Sequence, residues 1–194
     1  KIDSPLLIAH INICSLLNKL HEVEYILFKH KIDVLAISET WLKTAIPDGL
    51  IKLPGYEVHR RDRKLKTGGG VCIYINDKLK HRQLHILQDI EAVSIQLLLP
   101  HNPMNIVCTY RPPSSPVTYW EELLNTVDDI ESHTREAHTI VLGDLNVNIA
   151  DHQHQQYRHF LSFCHATNLQ NIVTSPTRFL SQSVLDLILL PRTI

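Results

Sequence analysis

Four apolar stretches of the sequence end in polar side chains that could carry out catalysis. Asn12 ends the first stretch, Glu39 ends DVLAISE, Tyr110 ends NIVCTY, and Asp144 and Asn146 follow IVLG. The tip of a strand is rigid, so it can hold a side chain in a fixed position against a substrate. Carboxylate and carboxamide oxygens are hard ligands that suit Mg²⁺ or Mn²⁺, and such ions serve phosphate chemistry. If these strands lie side by side, their tips predict a divalent-cation site that acts on a phosphate.

Each of these residues, taken alone, also has an ordinary structural explanation. Asn12 could cap the end of a strand, and Glu39 could be a solvated charge. Tyr110 could be a packing residue whose hydroxyl reaches water. Gly143 and Asp144 could form a common turn in which the aspartate bonds its own backbone. The order and the sequence context of all the positions together favour the catalytic interpretation.

The elements that must position these residues are predicted from the spacing of apolar side chains. Apolar residues recur at helical spacing over residues 16–27 and again over residues 120–130. Ser115 before Pro116 is typical of an N-cap followed by proline at the first helical position. The predicted helices cover residues 15–31, about 116–130 and 155–167, and the predicted strands cover residues 6–13, 33–39, 56–61, 71–75, 93–99, 105–110, 138–142, 169–173 and 183–190.

This order of elements predicts one α/β domain over residues 1–194. Several neighbouring strands have no helix between them, so antiparallel hairpins must contribute. That favours a layered sandwich in which two sheets pack together and helices cover the outside. Hydrophobic residues make up 44% of the chain and charged residues 20%, and this composition excludes a disordered protein.

The charge is balanced over the whole chain but locally uneven. The formal net charge of −1 excludes a protein that binds polyanions through a general positive excess. A run at residues 60–66, followed by three glycines, carries the basic residues Arg60, Arg61, Arg63, Lys64 and Lys66. By itself this run is typical either of a solvated surface or of a loop that binds a phosphate backbone. No apolar run approaches the roughly 18 residues of a membrane span.

The cysteines and histidines form no recognisable metal-binding motif. The four cysteines are 58, 36 and 56 residues apart, which matches no zinc pattern, and we expect reduced thiols rather than disulfides. The thirteen histidines include no helical pair beside an acid. We expect them to be surface residues that titrate near neutral pH.

Seven motifs stand in order over about residues 6–190: HINICSLLNK, DVLAISETWL, PGYEVHRRDR, GGGVCIYI, TYRPPSS, VLGDLNVN and SPTRFLSQSVLDLIL. In this order they resemble the endonuclease domain of non-LTR (LINE-type) retrotransposons. That domain belongs to the apurinic-endonuclease-like branch of the endonuclease/exonuclease/phosphatase superfamily, which also includes DNase I.

The resemblance implies a DNase I-like, four-layer α/β sandwich of two mixed, mainly antiparallel sheets with outer helices. It also implies Mg²⁺- or Mn²⁺-dependent nicking of one strand of double-stranded DNA. Glu39 is implied as the main metal ligand, with Asn12 beside it. Tyr110 and Asn146 are implied to hold the scissile phosphate. Asp144 is implied to orient or deprotonate the attacking water, or to assist the leaving oxygen.

The resemblance also covers the C-terminal motif and the basic run. Asp186 matches a later acid of the active site, and Ser183 matches the serine near it. Thr177 matches a DNA-contacting position, and we expect both Thr177 and Ser183 on the DNA-binding side. In this context the basic run of residues 60–66 is also expected to bind DNA.

The closing Ser-Asp-His motif of the family has no counterpart in residues 1–194. Its histidine contacts the scissile phosphate and is oriented by the acid that Asp186 matches. The pair Asp151 and His152 lies too close to GDLNVN to replace it. We therefore expect a domain that is incomplete at its C-terminus, lacks its final strand or strands, and nicks DNA weakly or not at all.

Two alternative functions are weighed against the endonuclease. The chain could be a non-catalytic retroelement remnant that at most binds nucleic acid, or a relative that acts on a phosphoinositide or sphingolipid headgroup. The ISETWL and YRPPSS motifs and the basic run argue against the lipid substrate. For an endonuclease, the resemblance implies a reverse transcriptase domain in the same polyprotein, action in the nucleus and no membrane partner.

Overall fold

The computed structural model describes residues 5–64, 67–134 and 136–192. The helices in this part of the chain are α1 (Leu20–His30), α2 (Thr118–His133) and α3 (Gln155–Ala166), with short 3-10 helices at Leu17–Lys19 and Asp48–Leu50. The strands are β1 (Ile8–Asn12), β2 (Val34–Ser38), β3 (Tyr56–Arg61), β4 (Val71–Asn76), β5 (His81–Leu84), β6 (Glu91–Leu97), β7 (Met104–Tyr110), β8 (His138–Asp144), β9 (Leu169–Asn171) and β10 (Asp186–Pro191).

The strands form two mixed sheets. The four-stranded sheet has the order β1-β2-β4-β3, and the six-stranded sheet has the order β5-β6-β7-β8-β10-β9. β1 pairs with β2 and β7 pairs with β8 in parallel, and the other strand pairs are antiparallel. The expectation of two mixed, mainly antiparallel sheets is therefore confirmed.

Three apolar clusters separate four layers. One cluster lies between the sheets and includes Ile73 from β4 and Ile106 from β7. A second lies under α1, where Leu27 packs with Cys72 and Tyr74 from the other face of β4. A third lies between the six-stranded sheet and helices α2 and α3. Both faces of β4 are apolar and covered, one by the other sheet and one by α1. The expected four-layer sandwich is therefore confirmed.

The start of α2 differs from the prediction. The helix begins at Thr118, and Ser115 does not cap it. Instead, the backbone nitrogen of Ser115 donates to the carbonyl of Pro112 in a turn (3.0 Å). The carbonyl of Ser115 accepts from the buried guanidinium of Arg111 (3.3 Å). These bonds hold Ser115 in the preceding loop, so the predicted N-cap is wrong.

Some predicted strands also differ from the observed ones. β5 was not predicted, because its sequence HRQL is mostly polar and partly exposed at the edge of the sheet. β8 continues through Gly143 to Asp144 rather than ending at the glycine. β10 begins at Asp186 rather than at Ser183. The antiparallel pairing of Asp186 with Asp144 sets this start.

The cysteines and the helices bear on the expectations for thiols and membrane spans. All four cysteines are free thiols, as expected, and three of them are buried. Among the described helices, none has the combination of length and hydropathy needed to cross a bilayer.

Candidate active site at the strand tips

Three of the expected active-site residues lie side by side at one edge of the six-stranded sheet. Tyr110, the last residue of β7, is paired with Asp144, the last residue of β8. Asp144 is in turn paired with Asp186, the first residue of β10. Because β7 and β8 are parallel and β10 is antiparallel to them, these residues meet at the same edge.

Asn12 and Glu39 lie at the ends of neighbouring strands of the four-stranded sheet, next to the strand tips of the six-stranded sheet. β1 and β2 are parallel with Asn12 opposite Ser38, so Glu39 directly follows the partner of Asn12. The side-chain amide nitrogen of Asn12 donates to Glu39 Oε1 (2.8 Å) and to Asp144 Oδ2 (2.7 Å). One side chain therefore joins the tips of both sheets. The expected convergence of the strand tips is observed, while the catalytic roles of these residues stay predictions.

Local hydrogen bonds fix the direction of the Glu39 side chain. Glu39 has a φ of 55°, and the backbone then turns so that Thr40 and Trp41 donate to the carbonyls of Gly70 and Gly69. The indole nitrogen of Trp41 donates to Glu39 Oε2 (3.1 Å). Both oxygens of the carboxylate are therefore held, one by Asn12 and one by Trp41, which preorganises the group.

Arg178 lies among the site carboxylates, and sequence reasoning did not identify it. Its Nη2 is 2.9 Å from Asp144 Oδ2, and its Nε is 3.7 Å from Asp186 Oδ2. The side chain is 35% exposed, and its Nε is buried. Its position next to Thr177 in the SPTRF segment was the one available signal.

The balance of charge and ligand type at these tips fits a hard divalent cation. The carboxylates of Asp144 and Asp186 contact the guanidinium of Arg178, and Asn12 joins Asp144 to the carboxylate of Glu39. Asp186 Oδ1 is buried and has no hydrogen-bond partner. The carboxylates and the carboxamide of Asn12 offer oxygen ligands, which Mg²⁺ and Mn²⁺ prefer.

His10 contradicts the expectation that the histidines are surface residues. Its side chain is 3% exposed, because β1 packs against β8 and β10. Its Nε2 lies 2.9 Å from Ser38 Oγ, which also accepts from the backbone nitrogen of Asp144 (3.3 Å). Its Nδ1 lies 3.7 Å from Asp186 Oδ1. Burial, and then the charge of Arg178, lowers the pKa of His10 to about 3, so the imidazole is neutral at neutral pH.

Burial also raises the pKa of acidic groups in the site, among them Asp144 and Tyr110. Burial, and then the neighbouring charge of Asp186, raises the pKa of Asp144 to about 6. Burial, followed by the charges of Glu39 and Asp144, raises the pKa of Tyr110 to about 12. At neutral pH the Tyr110 phenol is therefore a hydrogen-bond donor, and Asp144 is a carboxylate that can accept a proton.

The other expected site residues near these tips are held by their own hydrogen bonds. Asn146 Nδ2 donates to the carbonyl of Arg111 (2.8 Å), and its backbone nitrogen donates to Asp144 Oδ1 (3.0 Å). Thr177 Oγ1 accepts from the backbone nitrogen of Asp186 (3.2 Å). Ser183 is buried, and its hydroxyl lies 2.6 Å from that of Ser181. These contacts position the strand tips, and the roles of Asn146, Thr177 and Ser183 towards a substrate stay predictions.

The basic run of residues 60–66 is largely ion-paired in the part that the structure describes. Its three arginines contact acids from other segments: Arg60 with Asp48 (3.1 Å), Arg61 with Asp89 (3.3 Å) and Arg63 with Glu91 (2.6 Å). Their side chains are 14–29% exposed. Lys64 is exposed, and Lys66 lies outside the described residues. The positive charge is thus partly neutralised, and DNA binding by this run stays a prediction.

An exposed apolar tip projects beside the site. Arg178 and Ser183 form an isolated antiparallel bridge, and the segment between them carries Phe179 and Leu180. These two side chains are 87% and 97% exposed. Both residues directly follow Arg178, which contacts Asp144 and Asp186.

Replacing Asp144 with Asn is expected to stabilise the protein at neutral pH. The pKa of Asp144 is raised above the ordinary value of 3.8, which means that its ionisation opposes folding. The ionised carboxylate therefore lowers the free energy of unfolding progressively as pH rises from about 4 to about 6. Removing the charge should therefore raise the free energy of unfolding by about 1–3 kcal/mol above that range and by little below it. Denaturant unfolding at acidic and neutral pH measures the difference.

The control for this prediction is Asp128→Asn, at an exposed position on α2. It should leave the free energy of unfolding nearly unchanged at both pH values. A lower stability of Asp144→Asn at neutral pH would contradict the interpretation that the buried charge is held at a cost.

Comparison with known proteins gives one family match and several similar folds. The endonuclease/exonuclease/phosphatase family matches residues 9–193. The endonuclease domain of TRAS1, a telomere-specific non-LTR retrotransposon, superposes with a TM-score of 0.76 and 16% identity over 97% of this chain and 86% of that chain.

Two further solved structures have the same fold. An AP endonuclease from Archaeoglobus fulgidus has a TM-score of 0.71 and 17% identity over 95% of this chain and 86% of that chain. The AP endonuclease LMAP from Leishmania major has a TM-score of 0.74 and 16% identity over 95% of this chain and 78% of that chain. No curated protein sequence matches the chain.

Proposed function

Because the chain belongs to the endonuclease/exonuclease/phosphatase family, we propose that it hydrolyses a phosphodiester bond of double-stranded DNA and nicks one strand. The cation would be Mg²⁺ or Mn²⁺. The observation that carries the proposal is the meeting of Asn12, Glu39 and Asp144 through two hydrogen bonds from one amide. This contact gathers oxygen ligands from both sheets at one accessible edge.

Glu39 would be the main ligand of the cation, and Asn12 would hold the neighbouring groups in register. When bound, a divalent cation supplies positive charge that stabilises the negative charge growing on the phosphate. Arg178 would add a second positive charge at the same strand tips, because its side chain is part-exposed and its guanidinium lies against Asp144. Asp186 would in turn hold Arg178 from the other side.

Asp144 is proposed to handle the proton of the attacking water. Its carboxylate has a pKa raised to about 6, which is close to the pH at which a general base works best. Tyr110 would donate its phenolic hydrogen to a phosphate oxygen, since its raised pKa keeps it protonated. Asn146 would contact another phosphate oxygen.

The preference for DNA over a small phosphate ester rests on the surroundings of the site. Phe179 and Leu180 stand out into solvent beside the strand tips, and exposed apolar side chains of this kind can wedge between base steps. Thr177 and Ser183 belong to the same segment. The exposed Lys64 and the part-exposed Arg61 and Arg63 would contact the phosphate backbone.

A supercoiled-plasmid assay tests the reaction and the substrate class together. We expect weak nicking, in which nicked circles form slowly with Mg²⁺ or Mn²⁺ and do not form with a chelator. Phosphoinositide and sphingolipid substrates should not be hydrolysed under the same conditions. The expectation from sequence that residues 1–194 nick DNA weakly or not at all stays a prediction, and this assay tests it too.

Other outcomes would favour the alternatives. Salt-dependent DNA binding without any cation-dependent cleavage would favour a non-catalytic nucleic-acid binder. Hydrolysis of a lipid headgroup without nicking would move the substrate to that class. The absence of both DNA binding and nicking would contradict the proposed function.

Replacing both Phe179 and Leu180 with Ser is expected to weaken nicking and DNA binding about tenfold without lowering stability. The side chains are almost fully exposed, so they contribute little to folding. Their loss would remove contacts worth about 1–2 kcal/mol with unstacked bases. Fluorescence anisotropy with a duplex oligonucleotide and a thermal melt measure the two effects. Tyr25→Ser, at an exposed position on α1, is the matched control, and equal losses in both variants would contradict the proposal.

The biological setting is proposed from the same family relation. In a retroelement, the 3′-hydroxyl left by the nick would prime reverse transcription by a reverse transcriptase domain of the parent polyprotein. A chromosomal DNA target would place this reaction in the nucleus. Detection of a reverse transcriptase in the reading frame that encodes this chain would support the setting.

A further inference from the structure

We infer that Glu57, His59 and His81 form a second metal site, selective for a transition-metal cation such as Zn²⁺. Their ligand atoms lie within 4.8 Å of one another. Glu57 and His59 are on β3, an edge strand of the four-stranded sheet, and His81 begins β5, an edge strand of the six-stranded sheet. The site shares no residue with the strand-tip site, and it does not depend on the proposed function.

The hydrogen bonds of the two imidazoles turn their free nitrogens towards each other. Nδ1 of His81 lies 2.9 Å from the carbonyl oxygen of Leu79, and Nδ1 of His59 lies 3.3 Å from Gln83 Oε1. The backbone carbonyl of Leu79 only accepts, so Nδ1 of His81 carries the hydrogen and this neutral ring keeps a lone pair on Nε2. His59 has the same tautomer when Gln83 presents its amide oxygen to Nδ1. Such second-sphere carbonyl contacts are typical of metal-bound histidines.

The distance between the two Nε2 atoms is the observation that points to a ligand. The two Nε2 atoms are 2.9 Å apart. Two acceptor nitrogens at this distance repel unless a cation or a proton lies between them. Ligand atoms around one tetrahedral zinc ion are about 3.3 Å apart, since each lies about 2.0 Å from the metal. A small rotation of either ring therefore gives zinc geometry.

Glu57 completes the ligand set. Its Oε2 lies 3.5 Å from His81 Nε2, and its side chain is 57% exposed, so it can move towards a bound ion. Two imidazole nitrogens and one carboxylate suit Zn²⁺, whereas Mg²⁺ prefers oxygen ligands alone. A water molecule would take the fourth position on the open side.

A shared proton is the competing explanation for the short contact between the rings. It requires the neutral tautomer of His59 that carries its hydrogen on Nε2, with the amide of Gln83 turned to donate to Nδ1. The carboxylate of Glu57 beside both rings offers a third ligand, which favours a cation over a hydrogen bond between two neutral rings.

Metal binding here would link the two sheets at the edge opposite β1 and β9. The described hydrogen bonds between β3 and β5 are few and involve side chains, such as those of His59 with Gln83 and with His81. A zinc ion would add coordinate bonds across this join. Zn²⁺ should therefore raise the melting temperature.

The test uses the full chain carrying Glu39→Gln, which removes the main ligand proposed at the strand tips. Co²⁺, a spectroscopic substitute for Zn²⁺, is titrated near neutral pH. We expect one ion per chain, visible d–d absorption that Zn²⁺ abolishes, and a higher melting temperature with Zn²⁺. Mg²⁺ in excess should not displace the ion.

Variants assign the ligands. His59→Ala and His81→Ala should each weaken Co²⁺ binding by more than about 100-fold, and Gln83→Leu, which removes only a second-sphere acceptor, by about tenfold. His85→Ala, at an exposed position just beyond β5, is the matched control and should bind normally. If His81→Ala does not fold, His59→Ala carries the test.

Three results would overturn the inference. One is the absence of a Co²⁺ spectrum and of a Zn²⁺-dependent melting shift in the folded protein. Another is Co²⁺ binding that is unchanged in both histidine variants. The third is a histidine ¹⁵N spectrum that shows a shared proton and does not change when Zn²⁺ is added.

Discussion

Glu39→Gln is expected to reduce cation-dependent nicking at least about 100-fold and to weaken Mn²⁺ binding at the strand tips. The change removes one negative charge from a group in which the carboxylates of Asp144 and Asp186 lie close by. The amide oxygen of the substituted side chain can still accept from the amide of Asn12, so the geometry of the tips should persist. Plasmid nicking measures the activity, and electron paramagnetic resonance of free Mn²⁺ measures the binding.

Stability separates this effect from unfolding. Removing one of several crowded carboxylates relieves repulsion, so the melting temperature of Glu39→Gln should equal or exceed that of the parent chain. Glu22→Gln, at an exposed position on α1, is the matched control and should change neither nicking nor Mn²⁺ binding. Unchanged Mn²⁺ affinity in Glu39→Gln would contradict the assignment of Glu39 as the main ligand.

Gly143→Ala is expected to destabilise the protein by more than about 4 kcal/mol, enough to prevent folding. Gly143 lies within β8 at φ +155°, and a Cβ atom there would overlap the carbonyl oxygen of Thr109 on β7. These two residues are direct partners in the parallel ladder. The strands would have to separate where they present Tyr110 and Asp144.

Gly49→Ala tests whether this effect is specific. Gly49 lies in the 3-10 helix Asp48–Leu50, and a Cβ atom there would contact nothing within 4 Å. Alanine at this position should be neutral or slightly stabilising, because it restricts the unfolded chain. Denaturant unfolding and the yield of soluble protein measure both variants. A folded Gly143→Ala protein with near-normal stability would contradict the predicted clash.

The layers and the strand tips could be predicted from the sequence because they depend on local patterns. Alternating or continuous apolar runs mark strands such as β4 and β7, and a polar residue after such a run marks its tip. Parallel neighbours then place those tips at one edge. Glu39, Tyr110 and Asp144 follow such runs, and they lie at the strand tips of the two sheets.

Residues whose role depends on distant partners could not be predicted in this way. Asn12 and Asp144 are 132 residues apart, and Arg178 reaches Asp144 only after β10 has paired with β8. The local sequence around His10 does not indicate burial, because β8 and β10 cover this side chain only in the folded protein. β5 also lacks a local signal, because its residues are mostly polar.

The basic run shows the same limit from the opposite direction. The concentration of basic residues at residues 60–66 predicts a positively charged loop. In the fold, Arg61 and Arg63 meet Asp89 and Glu91, which lie 28 residues further on. The electrostatic field of such a run therefore depends on pairing that no local pattern contains.

The bonds of Asn12 also determine when the site exists during folding. The Asn12 amide connects Glu39 of one sheet with Asp144 of the other, so a chain with only one sheet formed has no gathered ligand set. Cation affinity at the strand tips should therefore appear with the final docking of the sheets. In a denaturant titration, Mn²⁺ binding should be lost with the first separation of the sandwich, even while each sheet keeps its circular dichroism signal.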